Sequence, residues 1–234
     1  MSSVKVAVIT GSSRGIGLGL LEKFVTDGYV VYSCSRGESS FQHPNHRHTT
    51  LDLSDSEKVE DWLKTVAKEN STIDVLVCNA AQTLVRAALL TTREELQKIF
   101  EVNFFSAVQI ANQISRTMLT TRKGSIIFLS SSAVSVKDIA TSAYASSKAA
   151  LELYSQVLAK ELAPFGLRVN VLRVPIFESS LTEGLSKTTV DRVLDQVPAR
   201  RFADIDDIYY AINFLIREQA SIFNGNILRV GEVG

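Results

Sequence analysis

The sequence predicts an alternating α/β fold in one domain, and three observations carry that prediction. Seven short apolar runs recur along the 234 residues, most of them separated by stretches with apolar residues at helical spacing. The first run, Val4 to Ile9, passes through a glycine turn straight into such a helical pattern. Hydrophobic residues make up 45% of the chain, enough to bury a full core against a sheet.

After the first strand come Thr10-Gly11-Ser12-Ser13-Arg14-Gly15-Ile16-Gly17, then Leu20, Leu21, Phe24 and Val25 in a helix closed by Asp27-Gly28. Gly11, Gly15 and Gly17 permit a tight turn, and the helix start offers unpaired N–H groups to a pyrophosphate. The same glycines also suit a plain βα turn. A second strand, Tyr29 to Cys34, ends in Ser35-Arg36. No acid stands there to bind a ribose 2′-hydroxyl, and Arg36 with Arg14 can instead pair with a 2′-phosphate. This favours NADP(H) over NAD(H), the alternative being two solvated arginines. Gly37 to Arg47 is polar, contains Pro44 and shows no helical period, so a crossover helix is missing or reduced before the third strand, His48 to Leu51. His43, His46 and His48 lack nearby cysteine or carboxylate partners, which argues for loop and strand-edge residues over a metal site. Asp52 either accepts a hydrogen bond from an adenine amine or starts the next turn.

That turn leads to a capping box, Ser54-x-x-Glu57, and a helix carrying Val59, Trp62, Leu63 and Val66 on one face. Ile73 to Cys78 is the fourth strand, ending in Asn79-Ala80-Ala81. Thr92-x-x-Glu95 caps a long helix whose stripe runs Leu96, Phe100, Asn103, Ala107, Ile110, Ile114. Asn103 is its only polar member and must find hydrogen bonds, whether structural or catalytic. The fifth strand, Ser125 to Leu129, places Ser131 at the sheet edge where open α/β proteins bind ligands. Tyr144 and Lys148 then sit one turn apart at the start of a helix that runs to Pro164-Phe165-Gly166. An ammonium held beside the phenol would lower its pKa from the ordinary ~10 and suit it to proton transfer. Taken alone, the pair equally describes a half-buried ring and a solvated amine. Leu167 to Leu172 is the sixth strand. Arg173 to Pro198 is irregular, with a short helix near Val190 to Leu194, and residues 174–200 are read as a lid over the substrate. A helix from Ile205 to Ile216 and a strand from Asn226 to Val230 complete the pattern.

Twenty-five basic and 25 acidic residues cancel, so the chain lacks the basic excess of a nucleic-acid or anionic-membrane binder. No apolar run spans a bilayer and the first strand runs into the glycine turn without a leader-type cleavage site, which points to the cytoplasm. Cys34 and Cys78 are read as reduced packing residues.

Thr10-Gly11-x-x-x-Gly15-x-Gly17, Asn79-Ala80-Ala81, Asn103, Ser131 and Tyr144-x-x-x-Lys148 resemble, in order and spacing, the motifs of the short-chain dehydrogenases/reductases. The resemblance covers essentially the whole chain. It implies a doubly wound Rossmann fold of seven parallel strands with helices on both faces, and hydride transfer between a nicotinamide and a carbonyl or alcohol carbon. By position it assigns Tyr144 as general acid/base and Ser131 as the donor to the substrate oxygen. Lys148 would bind the nicotinamide ribose and lower the tyrosine pKa, and Asn103 would position a relay water. Cofactor contacts are expected from Gly11, Ser13, Arg14, Gly15, Ile16, Gly17, Ser35, Arg36, Asp52, Leu53, Asn79, Ala80, Tyr144, Lys148, Val174 and Ile176. A homodimer or homotetramer formed through the helices carrying Asn103 and Tyr144 is also implied. Three departures stand out: Ala81 replaces the usual glycine, Val174-Pro175 replaces the usual Pro-Gly beside the nicotinamide, and the short Gly37 to Arg47 segment implies that the family's usual third helix is missing or reduced, leaving the adenine side of the cofactor more open.

The leading expectation is NADPH-dependent reduction of a small, largely apolar ketone or aldehyde, in a pocket bounded by Ala133, Val134, Ile176 and Phe177. Reduction of a 3-oxoacyl thioester, with the same catalytic residues, is the alternative, and a non-enzymatic NADP(H)-binding sensor or scaffold is the other.

Overall fold

Short apolar segments that must hide both faces build the centre of this molecule. The computed structural model describes residues 4–175, 177, 194 and 197–231. Its strands are β1 (Val6–Thr10), β2 (Val30–Ser35), β3 (His46–Thr50), β4 (Val75–Cys78), β5 (Gly124–Ser131), β6 (Leu167–Val174) and β7 (Ile227–Arg229). They form one parallel sheet in the order β3-β2-β1-β4-β5-β6-β7. β1 and β4 are buried along their whole length, as befits central strands covered on both faces. The chain runs outward from β1 through β2 to β3, then returns to the other side of β1 as β4. That reversal opens a crevice at the C-terminal ends of β1 and β4.

The helices divide between the two faces. α1 (Gly15–Thr26) contributes Leu20, Leu21, Phe24 and Val25 to one core, where Ile208, Ile212 and Leu215 of the late helix Ile205–Ile216 join them. On the other face α2 (Ser56–Glu69), the helix through Asn103 and the helix through Lys148 close over Leu76, Ile126, Phe128 and Val171. Apolar burial on both faces is the main stabilising term for such a layered fold.

Several local expectations change. α2 is capped by Asp55, whose side chain accepts from the Lys58 N–H, and the Ser54/Glu57 box does not form. Ser54 is diverted, giving both its N–H and its hydroxyl to Asp52 Oδ1. The Thr92/Glu95 capping box is present and opens α3 (Arg93–Phe100). A π-helical turn, Glu101–Phe105, then joins α3 to α4 (Ser106–Thr121) without a break. The extra residue in that turn shifts the buried stripe. Before it, Ile99 faces the core and Leu96 is exposed; after it, Ala107, Ile110 and Ile114 face inward as the spacing predicts. No helix lies between β2 and β3, and residues 36–45 cross as irregular chain. The expected helix near Val190 to Leu194 and most of the lid fall outside the described residues.

Two short elements follow β5: α5 (Ala133–Val136) and the long α6 (Ser142–Leu162). A 3-10 turn and Gly166 at φ 82° end α6, a conformation that favours glycine. α7 (Ile205–Ile216) carries its own capping box, Asp204 with Asp207. No described helix is long and apolar enough to cross a membrane.

Candidate active site

The glycine turn after β1 is shaped by what it must pass. Gly11 adopts φ +73° and a side chain there would press on the Ala80 backbone; a Cβ on Gly17 would collide with the Gly11 carbonyl. Glycine is therefore required for the turn to lie flat against the start of α1. Asn79 holds the turn in place: its amide donates to the carbonyls of Thr10 (2.9 Å) and Gly11 (3.0 Å). The backbone N–H groups of Asn79 and Ala80 both donate to Thr10 Oγ1, fastening β4 to β1 at the crevice. The α1 N-terminus opens there with uncapped N–H groups, a ready site for a pyrophosphate.

A cleft of about 920 Å³ runs from this turn along the sheet edge. Of the expected cofactor contacts, Gly11, Ser13, Arg14, Gly15, Ile16, Gly17, Ser35, Arg36, Asp52, Leu53, Asn79, Ala80, Tyr144, Lys148 and Val174 all line it. Ile176 lies outside the described residues. Arg14 and Arg36 are exposed and have no ion-pair partner among the described residues, so both remain available to an anion. The reading of Asp52 narrows: one oxygen is spent on the turn into α2, and these bonds with Ser54 hold its carboxyl below its ordinary value. Long, open, glycine-floored at one end and cationic at the far end of β2, the cleft fits a phosphorylated dinucleotide.

The chemistry-bearing residues cluster at the other end. Ser131 closes β5 and its hydroxyl accepts from the Ala133 N–H at 3.2 Å. It also faces Tyr144 closely enough to act on the phenol, in the direction that lowers its pKa. Lys148 is 2% exposed, and its ammonium donates to the Leu129 carbonyl at 2.8 Å. Burial pushes Lys148 down to about 8. Tyr144 differs from expectation: desolvation raises its pKa, the Ser131 hydroxyl only partly opposes this, and Lys148 exerts no lowering. The physical reason is burial, which penalises the phenolate, while the bond the Lys148 ammonium makes is to the Leu129 carbonyl.

Asn103 does not reach the cleft lining. It lies in the π turn, 1% exposed, with Oδ1 accepting from the Gln82 N–H (2.7 Å) and Nδ2 donating to the Gln82 carbonyl (2.9 Å) and Ser147 Oγ (3.0 Å). It thus ties the segment after β4 to α6, one residue before Lys148. Ala133 and Val134 likewise stand off the lining, on α5, whereas Phe177 is on it. Sequence reasoning missed Gln82, Thr83 and Val102, which line the cleft beside Ala81. It also missed Glu152, although the four-residue repeat Tyr144, Lys148, Glu152 marks one face of α6. Cys34 and Cys78 are buried and unpaired, as expected, with burial raising both thiols. No cluster of metal-ligating side chains occurs among the described residues.

Comparison with known proteins agrees with this arrangement. Residues 5–189 match the short chain dehydrogenase family. The 3-oxoacyl-[acyl-carrier-protein] reductase FabG of Salmonella typhimurium is 31% identical over 232 residues, covering 97% of this chain and 95% of the relative. FabG of Escherichia coli shows the same identity and coverage, and that of Vibrio cholerae is 30% identical over the same share of each chain. The chain belongs to the short-chain dehydrogenase/reductase family and is an NADP(H)-dependent oxidoreductase acting on the CH–OH/C=O pair.

Proposed function

We propose that the protein reduces the 3-oxo group of an acyl thioester with NADPH. The observation that carries this reading is the end-to-end similarity to FabG reductases, with 97% of this chain and 95% of the relative aligned. It favours the thioester over the small free ketone or aldehyde that an apolar pocket first suggests.

NADPH held in the cleft would supply the hydride for the carbonyl carbon. Tyr144 gives its phenolic proton to the carbonyl oxygen as negative charge develops there, and the Ser131 hydroxyl donates a second hydrogen bond to that oxygen. Burial suits Tyr144 to this direction, since a raised pKa keeps it protonated at neutral pH. Lys148, with a pKa of about 8, is mostly an ammonium at neutral pH and supplies positive charge to the nicotinamide ribose side of the cleft. Asn103 acts here as a positioning residue through Gln82 and Ser147, because its side chain keeps at most one acceptor lone pair for a relay water. Arg36 and Arg14 bind the 2′-phosphate.

We further infer a cytoplasmic homo-oligomer organised as one catalytic domain. Exposed Phe105, Leu153 and Val157, on the elements carrying Asn103 and Tyr144, supply the apolar surface such an interface needs.

The test is NADPH oxidation with acetoacetyl thioesters beside diketones and aromatic aldehydes. Preferential turnover of the thioesters supports the reading. Faster turnover of the free carbonyls returns the small-ketone reading to first place, and cofactor binding without turnover of any substrate leaves the sensor or scaffold.

A further inference from the structure

Behind the proposed catalytic residues lies a buried charged network that the reaction chemistry itself does not require. Glu152 and Arg173 are 5% and 6% exposed. Arg173 donates to the Glu152 carboxylate through both Nε (2.9 Å to Oε1) and NH2 (2.6 Å to Oε2). Oε1 also accepts from Ser130 Oγ at 2.6 Å, and Arg173 NH1 donates to Ser135 Oγ at 2.8 Å. Ser130 and Arg173 are direct partners in the β5–β6 register, as are Ser131 and Val174 next along. One carboxylate therefore clamps both strands at the register pair just before Ser131 and Val174.

The same carboxylate belongs to the helix face that carries Tyr144 and Lys148. Three successive turns of α6 face three successive residues of β5: Lys148 holds the Leu129 carbonyl, Glu152 accepts from the Ser130 hydroxyl, and Tyr144 stands beside the Ser131 hydroxyl. A buried ion pair is weak evidence for stability, since desolvating two charges offsets most of their attraction. Retention of this one beside a desolvated ammonium calls for another explanation.

We propose that Glu152 is a positioning residue for the reaction, fixing the Ser131 strand end against α6 and supplying the negative charge that offsets the buried Lys148 ammonium. This rests on the proposed roles of Tyr144 and Lys148. The groups acting electrostatically on Lys148 are Cys78 from β4 and Glu152 from its own helix, and Glu152 is in turn paired with Arg173 from β6. Both Cys78 and Glu152 oppose the loss of its proton caused by burial. With Glu152 neutralised, Lys148 deprotonates at lower pH, and the alkaline limb of kcat/KM follows it.

The experiment compares wild type, Glu152→Gln and Glu152→Met/Arg173→Met, with Tyr144→Phe as control. All are measured for NADPH oxidation with an acetoacetyl thioester across pH 6 to 9.5, roughly the range over which a group near pH 8 titrates. Gln keeps the size and one acceptor, whereas the double variant removes both charges together and leaves neither orphaned. The expected result is a kcat about tenfold lower with KM nearly unchanged, and an alkaline limb displaced to lower pH in both Glu152 variants. An unchanged profile in folded Glu152→Gln, with Tyr144→Phe inactive, overturns the inference and leaves the catalytic reading standing. Full activity in Tyr144→Phe overturns that reading and this inference with it. Loss of native circular dichroism in both Glu152 variants assigns the pair to folding alone and also overturns the inference.

Discussion

The β5–β6 junction and the β2–β3 edge both border the cofactor cleft, yet they are built from opposite materials. β5 and β6 pair over eight consecutive positions, Gly124↔Leu167 to Ser131↔Val174, and are buried almost throughout. β3 pairs with β2 at five positions and has no fully buried residue. At the junction, charges are buried, paired and aimed. At the edge, Arg14 and Arg36 stand in solvent. The difference follows from what each end must do. Proton transfer requires donor and acceptor within hydrogen-bond reach, so the groups must be held by packing. A dianionic phosphate attracts cations over several ångströms and tolerates mobile side chains.

The most severe way to probe the junction is Tyr144→Phe. It removes one oxygen from a well-packed helix, so kcat should fall by about 10²–10⁴, while NADPH affinity, read by fluorescence titration, stays within a few-fold. Comparable loss of NADPH binding would show that the two ends are not separable. Phe128→Ala probes the packing itself. Phe128 is 0% exposed in the middle of β5, and its truncation should cost about 3–5 kcal/mol in urea unfolding. A much smaller cost would mean that the junction relaxes around the cavity, contrary to the rigidity inferred for it.

At the edge, Arg36→Ala should weaken NADPH binding by roughly 10- to 100-fold and leave NADH little changed, because a charge-assisted hydrogen bond contributes about 1.5–3 kcal/mol. The penalty should shrink as salt rises, since exposed charges are screened. The effect of Tyr144→Phe should show no such dependence. Equal losses for both cofactors would remove the 2′-phosphate from the explanation.

How far each region was legible in the sequence follows the same division. Strands, glycine turn and helices are written in apolar period and turn chemistry, and the structure departs mainly at their ends. Tyr144, Lys148 and Ser131 stand at recognisable spacing. Leu96 was misplaced because a π turn leaves no mark in a 4-3-4 pattern until the backbone is seen. The Glu152–Arg173 pair joins residues 21 apart in sequence through a strand register that periodicity does not fix. Asn103 was legible as a buried amide, but its partners were not, because Gln82 offers only its backbone and the Ser147 hydroxyl lies 44 residues away in sequence. Lys148's commitment to the Leu129 carbonyl was invisible for the same reason, and so was the raised tyrosine.

The smallest effect tests how the edge survives without a crossover helix. Residues 36–45 are stapled by side chains: His46 Nδ1 donates to the Phe41 carbonyl (3.0 Å), and its Nε2 lies 2.8 Å from Ser33 Oγ, which also accepts from Ser12. His48 adds a bond to the Gly37 carbonyl at 2.9 Å. With Nδ1 carrying the proton, a neutral His46 offers Nε2 as acceptor to Ser33, and burial, the largest influence on this ring, lowers its pKa from 6.5. The sign of the consequence is fixed. Above pH 6.5 the ring is neutral in both folded and unfolded chain. Below it the unfolded chain takes up a proton that the folded chain resists, so folding stability falls as pH falls. His46→Gln, which cannot titrate, should flatten that slope between pH 5 and 6.5, roughly the window set by the unfolded ring, when urea midpoints are compared with wild type. It should leave the alkaline limb of turnover untouched, since that limb is proposed to follow Lys148 at the junction. A slope that survives His46→Gln would place the acid sensitivity elsewhere and remove the staple from the account of how β3 is held.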